Sequence, residues 1–332
     1  MKKILNDPFA YVDEMLAGLC AAHPEYYRRT GPEGRVIARA SGVVRGKVGV
    51  VSGGGSGHLP VFTGYVGKGL LDACAIGDVF SSPSVDQMAD AIRAANGGAG
   101  VLRLYGNYGG DNMNFDMAGE IVEMEGIETA TVRVADDVAS ATLEERSKRR
   151  GVAGLVYAYK IAGAKAEMRA GVREVTKVAQ RAADACRSVG VALTACTVPA
   201  VGRPTFEISE SEMEIGMGIH GEPGVRRGTL RPADAIAEEM LALLLEDMPL
   251  KPGDRISVLV NSLGATPPEE LYIIYRYVAG RLADQSVTIV NPLVGRYATS
   301  MEMAGLSLTL CKLDSELEAL LKAPCDCPFL RI

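Results

Sequence analysis

Along the chain, short apolar runs alternate with glycine-rich polar loops and with stretches of helical spacing. The first run, at 48–51, has the apolar content of a buried strand and leads directly into SGGGSGHLP at 52–60. A second, at 70–76, runs into GDVFSSP at 77–83. A third, at 101–105, ends in GNYGGDNMNF at 106–115, and a fourth, at 129–134, ends in Asp136 and Asp137. Helical spacing occupies 86–95 and 115–124. An amphipathic helix over 8–22 opens the chain, with Val12, Leu16 and Leu19 on one side, Asp7 as its cap and Pro8 in its first turn. Strand, loop and helix in repetition predict a largely parallel sheet flanked by helices. The polar loops then gather at the carboxyl ends of the strands, where such folds bind ligands.

A second unit starts near Val152. Helical periodicity continues through Tyr159 and Val172 to Cys186, followed by a strand at 191–197. Further on come a helix at 232–245, a strand at 256–260, a helix at 271–282 and strands at 287–290 and 306–313. This half has more antiparallel character. The expectation is an α/β protein of two tightly packed domains, 1–183 and 184–332, with mixed, largely parallel sheets flanked by helices. No flexible linker or internal repeat is evident. Within the second unit, EIGMGIHGEPG at 214–224 alternates Ile215, Met217 and Ile219 with Glu214, Gly216, Gly218 and His220. That period of two predicts a strand whose second face is stripped to glycine and ends in a histidine, with Phe206 and Ile208 as its hairpin partner.

Composition narrows the function classes. The 332 residues are 48% hydrophobic and 23% charged, as in a globular protein, and the net charge of −6 argues against a nucleic-acid or anionic-membrane partner. No tract approaches the roughly 18 apolar residues of a membrane span, and MKKILNDPF lacks a signal-peptide core. Seven irregularly spaced cysteines predict a reducing cytoplasm. Cys325 and Cys327 form C-x-C without a matching second pair, so no metal site is expected.

The glycines at 53–57 fit neither a P-loop, which needs Lys-Ser or Lys-Thr, nor G-x-G-x-x-G, whose sixth position falls on His58 or Pro60. They still offer bare amides to an oxygen-rich group, and Pro60 suits the first turn of a following helix, which would put His58 at a helix start. Asp111 follows two glycines before a helix and reads either as an N-cap or as a general base. His220 reads either as an exposed turn residue or as a group facing a ligand. Two of only three histidines and an aspartate, all in glycine-built loops, are best explained by one small-molecule pocket.

SGGGSGH at 52–58, NYGGDNMNF at 107–115, ACTVPAVGRP at 195–204, EIGMGIHGEPG at 214–224 and VNSLGATPPEELY at 260–272 together resemble the substrate-binding K subunit of dihydroxyacetone kinases, in order and over nearly the whole chain. The resemblance implies a ketose held by this chain and phosphorylated on a terminal hydroxyl. A separate all-helical L subunit would carry ATP, or ADP in a phosphotransferase relay, with Mg. This chain would bind no cofactor of its own and would form a homodimer. By motif, His220 corresponds to the histidine that bonds the ketose carbonyl as a hemiaminal, Asp111 to the general base and His58 to the second active-site histidine. Gly54 and Gly55 would give backbone contacts and Ser81 or Ser82 a hydroxyl. Some similar chains are instead ketose sensors that co-activate a transcription regulator, which is the alternative reading.

Two positions depart from the family pattern. Leu59 stands where an acidic residue is common, and Gly106 where a lysine usually precedes NYxGD. Loss of that lysine removes a charge and is expected to open space beside Asp111, suiting a ketose larger than dihydroxyacetone, such as erythrulose or a branched or five-carbon sugar.

Overall fold

A computed structural model describes residues 2–332. Strands β1 (Tyr27–Thr30), β2 (Val36–Arg39), β3 (Gly49–Ser56), β4 (Ala73–Val79), β5 (Val101–Gly106) and β6 (Thr129–Val134) form one sheet in the order β1-β2-β4-β3-β5-β6. The four strands from β4 to β6 are parallel, and the β1–β2 hairpin, which the sequence pattern did not reveal, adds an antiparallel edge. Helices α1 (Tyr11–Ala22), α2 (Val85–Ala95) and α3 (Gly109–Met124) flank this sheet. Ser84 and Gln87 close a reciprocal capping box at the start of α2. Met88 and Ile92 of α2 pack with Val51 of β3 and Phe115 of α3 in one buried cluster.

The topology places a crevice. From β3 the chain moves to one side to form β4, then crosses through α2 to form β5 on the other side of β3. β3 stays paired to β4 as far as Ser56, but to β5 only from Gly49 to Val51. Beyond Val51 the two strands separate at their carboxyl ends, which is the switch point where ligands bind in open α/β sheets.

Two further helices follow, α4 (Gly154–Glu167) and α5 (Val172–Asp184), broken by Arg169 in the left-handed region. Every residue of α4 from Gly154 to Ala164 is buried, so it carries no polar face and reads poorly as a periodic pattern. Two of its phenols reach the two sheets. Tyr159 shares a hydrogen bond with Ser52 of β3 at 2.7 Å, and Tyr157 donates to Ser257 at 2.9 Å in the second sheet.

That second sheet comprises β7 (Cys186–Ala192), β8 (Glu212–Ile215), β9 (Arg226–Thr229), β10 (Arg255–Ser262), β11 (Thr288–Ile289), β12 (Leu293–Gly295) and β13 (Gly305–Leu313), flanked by α6 (Ala233–Asp247) and α7 (Pro268–Asp284). Only β11 and β12 run parallel to their neighbour β10; the other pairings are antiparallel. The mixed α/β class therefore holds, with the parallel part concentrated in the first sheet. Helix α8 (Ser315–Lys322) and the hairpin of β14 (Asp326–Cys327) and β15 (Leu330–Arg331) return to the first unit. Lys160 of α4 donates to the Leu320 carbonyl at 2.7 Å, and Lys68 and Asp326 exchange backbone hydrogen bonds. No helix among the described residues is long and apolar enough to cross a membrane.

Four local expectations are corrected. The glycines at 53–55 lie within β3, because its β4-facing edge remains paired through them. Pro60 follows a cis peptide bond in a turn, and only a three-residue helical turn at Thr63–Tyr65 comes after it, so His58 stands at a strand end. The strand expected at 191–197 is β7, which ends at Ala192. Within 214–224 the strand stops at Ile215, where Gly216 turns the chain at φ +83°, and β8 pairs with β7 and β9 rather than with Phe206 and Ile208.

Candidate functional site

The glycine strip of β3 is shaped first by the protein itself. A Cβ on Gly54 would sit 2.2 Å from the Phe62 ring, and one on Gly55 would sit 2.7 Å from the Ser81 backbone nitrogen. Phe62 and Phe80 both adopt positive φ, as does Met301, a cost that non-glycine residues bear only where packing enforces it. The two aromatic rings hold His58: Phe80 stacks on it with centroids 5.0 Å apart, and Phe62 meets it edge-on at 6.0 Å. His58 Nδ1 lies 2.7 Å from the Thr299 carbonyl oxygen. A carbonyl can only accept, so Nδ1 carries the proton and Nε2 a lone pair. Nε2 is buried without a partner. Burial, with His220 nearby, pushes the His58 pKa down to about 3, so the ring is neutral near pH 7.

His220 lies in the tight turn after β8, one-quarter exposed. Glu222 closes that turn, accepting the His220 backbone N–H at 2.9 Å and facing the His220 Nδ1 at 3.1 Å. Burial opposes charge on Glu222, but the hydrogen bond from His220 and the nearby Arg150 outweigh it and hold its pKa at about 2. In the neutral ring the carboxylate makes Nδ1 the donor, which puts the lone pair on Nε2. Arg150 braces the turn from the first unit. Its Nε donates to Asp137 at 2.9 Å and its Nη2 to the Gly216 carbonyl at 3.0 Å, while Nη1 stands 3.9 Å from Glu222. The His58 and His220 rings meet edge to face with centroids 4.8 Å apart, so the structure brings the two sequence-distant histidines together.

Asp111 is buried at the third position of α3. The cap position belongs to Tyr108, so the N-cap reading is set aside. Burial pushes the Asp111 pKa up to about 6, although a hydrogen bond from Ser82 and the nearby His220 work the other way. Its Oδ1 is buried without a partner. Of the two candidate serines, Ser82 is the one beside this carboxylate; Ser81 is exposed and packs its backbone on Gly55.

Gly106 ends β5, and the space expected above it is occupied. A Cβ there would lie 3.2 Å from the Tyr108 ring and 3.1 Å from the Gly151 carbonyl oxygen. Tyr108 instead lies edge-on to His220, with centroids 4.9 Å apart. The residues that sequence reasoning did not single out are Glu222, Arg150, Tyr108 and Thr299. Glu222 and Tyr108 carried a visible signal, since each lies inside a quoted motif, two positions after His220 and three before Asp111.

Residues 17–329 match the family described as the Dak1 domain. Over its full length the chain is 43% identical to the dihydroxyacetone-binding subunit DhaK of PTS-dependent dihydroxyacetone kinase 2 from Listeria innocua, covering 100% of both chains. It is also 43% identical to L-erythrulose kinase of Pectobacterium atrosepticum, covering 100% of this chain but only 56% of that protein. Among solved structures, the dihydroxyacetone kinase from C. freundii in complex with AMP-PNP and Mg2+ matches with a TM-score of 0.89 at 33% identity, over 98% of this chain and 60% of that one. The dihydroxyacetone kinase operon co-activator Dha-DhaQ matches at 0.88 and 32%, over 94% and 96%. The chain belongs to the Dak1 family, the substrate-binding subunits of dihydroxyacetone- and erythrulose-type kinases, which are phosphotransferases.

Proposed function

We propose that this chain holds a short ketose covalently on His220 and presents a terminal hydroxyl of that sugar for phosphorylation. The observation that carries the reading is the arrangement of His220, with Nδ1 engaged by Glu222 and its ring edge-to-face with a neutral His58. Addition proceeds from the free lone pair. As the Nε2–C bond forms, the carbonyl π pair moves to oxygen, which takes a proton from solvent. The Nδ1 proton leaves through Glu222, so the hemiaminal is neutral overall. The new hydroxyl can donate to His58 Nε2, which has no other partner. Asp111 then accepts the proton of the terminal hydroxyl as that oxygen attacks phosphorus, whose bond to the nucleotide's bridging oxygen breaks. Ser82 steadies the carboxylate, and the edge of β3 at Gly54 and Gly55 that β5 leaves unpaired can offer a backbone amide to the crevice.

The nucleotide, ATP or a relay-charged ADP, sits with Mg on a separate L subunit in this reading, and the name of the Listeria relative, a dihydroxyacetone-binding subunit, supports that division of labour. Cytoplasmic location and a homodimer belong to the same proposal; seven free cysteines fit a reducing compartment. Dihydroxyacetone and erythrulose are the substrates favoured by the relatives' names. The filled space over Gly106 removes the argument for a larger sugar at that point.

A ketose sensor is the second reading, favoured by the likeness to the Dha-DhaQ co-activator. A sensor needs the anchoring histidine but has no use for a buried base, and Asp111 favours the enzyme. Intact-mass spectrometry with dihydroxyacetone and erythrulose tests the anchor. The expected result is a retained sugar mass on the wild type and none on His220→Ala. No adduct on folded wild type would overturn the reading, and adducts without turnover beside any L subunit would leave the sensor.

A further inference from the structure

Around His220, three side chains carry a polar atom buried without a hydrogen-bond partner: His58 at Nε2, Asp111 at Oδ1 and Tyr108 at its hydroxyl. Buried polar atoms are rarely left unpaired, and a group of them around one reactive side chain marks places that a ligand fills. The three differ in what they can do. His58 Nε2 can only accept, because Nδ1 holds the proton. The Asp111 carboxylate also accepts. Tyr108 alone among them carries a proton to donate.

Three of its neighbours are already engaged elsewhere. Asn107 donates to the Ser147 and Arg149 carbonyls, Arg150 is engaged with Asp137 and the Gly216 carbonyl, and Glu222 takes both donors of His220. The ring is seated where a side chain on residue 106 would stand, against the edge of His220. Burial and the carboxylates of Glu222 and Asp137 push the phenol's pKa well up, which keeps it a donor.

A ketose bound on His220 brings three hydroxyl groups to this cluster. The one formed from the carbonyl has His58, and the terminal one to be phosphorylated has Asp111. The hydroxyl on the other side of the carbonyl carbon has neither. Resting on the function proposed above, we propose that Tyr108 is a specificity-determining residue whose hydroxyl donates to the ketose hydroxyl on the non-phosphorylated side of the carbonyl. The paired Gly106 leaves the ring room to lie there. This donor would discriminate dihydroxyacetone and erythrulose, the sugars in the relatives' names, from simple hydroxyketones that lack the second hydroxyl.

The test compares dihydroxyacetone with hydroxyacetone, which lacks that hydroxyl, on wild type and Tyr108→Phe, by titrating the retained sugar mass and by thermal melting. Loss of one hydrogen bond predicts about a tenfold drop in dihydroxyacetone retention, with hydroxyacetone retention unchanged. The melting temperature without sugar should hold or rise, since the phenol hydroxyl has no partner to lose. Equal losses for both ketones, or a lowered melting temperature with no selective loss, would make Tyr108 a packing residue and overturn the proposal. So would unchanged retention of both. If wild type retains neither ketone, the hemiaminal reading fails and this inference with it; retention by wild type without a selective effect of Tyr108→Phe sinks the inference alone.

Discussion

Within a three-residue span, Glu222 holds His220 at two atoms, its backbone N–H at 2.9 Å and its Nδ1 at 3.1 Å. One carboxylate thereby sets both the path of the turn and the face of the imidazole that keeps its lone pair. Glu222→Ala leaves both donors without that acceptor. Each such loss costs about 1–3 kcal/mol, so ketose retention should fall by about ten- to a hundredfold. Glu222→Gln keeps one acceptor and should fall less. Titrating the retained sugar mass on the two variants checks the order; an alanine variant that retains sugar like wild type would remove Glu222 from the mechanism.

Gly218 gives an independent route to the same defect. A Cβ at this position would lie 2.1 Å from the Glu222 carboxylate and 2.4 Å from Arg150 Nη1. Both are ends of flexible side chains, so they can move aside while the fold survives. Gly218→Ala is therefore expected to melt close to wild type, within about 1 kcal/mol, yet to lose retention about as severely as Glu222→Ala. Normal retention in this variant would show that the Glu222 position is not critical.

Asp111 predicts two pH effects of opposite use. As the proposed base it must be ionised, so kcat/KM should rise with pH through about 6, the value to which burial pushes its pKa. The sign for stability is reversed. A folded-state pKa raised above the ordinary aspartate value of 3.8 means that the fold favours the neutral acid. The penalty is absent below about 4, grows as pH rises and is complete above about 6. Asp111→Asn should then be more stable than wild type at pH 8 by up to about 3 kcal/mol, with the gap closing near pH 4, while turnover is lost and sugar retention persists. Urea melts at the two pH values check the first part, and a coupled assay with an L subunit the second. Near-normal turnover in Asp111→Asn would refute the base assignment.

What could be read ahead of the structure divides by the range of the interactions involved. The apolar run at 101–105 and the helical spacing at 86–95 are local, and they correspond to β5 and α2. Helix α4 has no such signature because it is buried on all sides; β1 and β2 are only four residues each, and β1 carries two arginines. The meeting of His58 with His220 was legible because each follows a stripped glycine segment. The role of Glu222 was hidden by reading 214–220 as a strand with the turn only after His220, whereas the chain already turns at Gly216 and both residues sit in one loop. Arg150 and Thr299 lie 70 and 241 positions from the histidines they serve, and only tertiary packing reveals them. At Gly106, removal of a side chain was read as empty space, whereas the adjoining Tyr108 ring takes it.

Asp136 tests how far the site depends on the seam between the two sheets. It is buried, and it accepts the Val152 N–H at 2.8 Å, the Gly154 N–H at 2.7 Å and the hydroxyl of Ser188 in β7. It therefore fixes the start of α4 and ties the end of β6 to the second sheet. Asp136→Ala strands two buried backbone donors, leaving Ser188 only its hydroxyl partner Thr309, and should cost about 3 kcal/mol or more. Asp136→Asn keeps an acceptor oxygen and should cost less. The next residue, Asp137, holds Arg150, and Arg150 holds the Gly216 carbonyl. Loosening this seam should therefore weaken ketose retention at temperatures where the variant is still folded. A buried substitution of matching stability cost on the far side of the second sheet, such as Leu282→Ala in α7, supplies the control. Equal retention in the two variants would mean that the seam stabilises the fold without positioning His220; weaker retention in Asp136→Ala alone would show that the position of His220 is set from the first sheet.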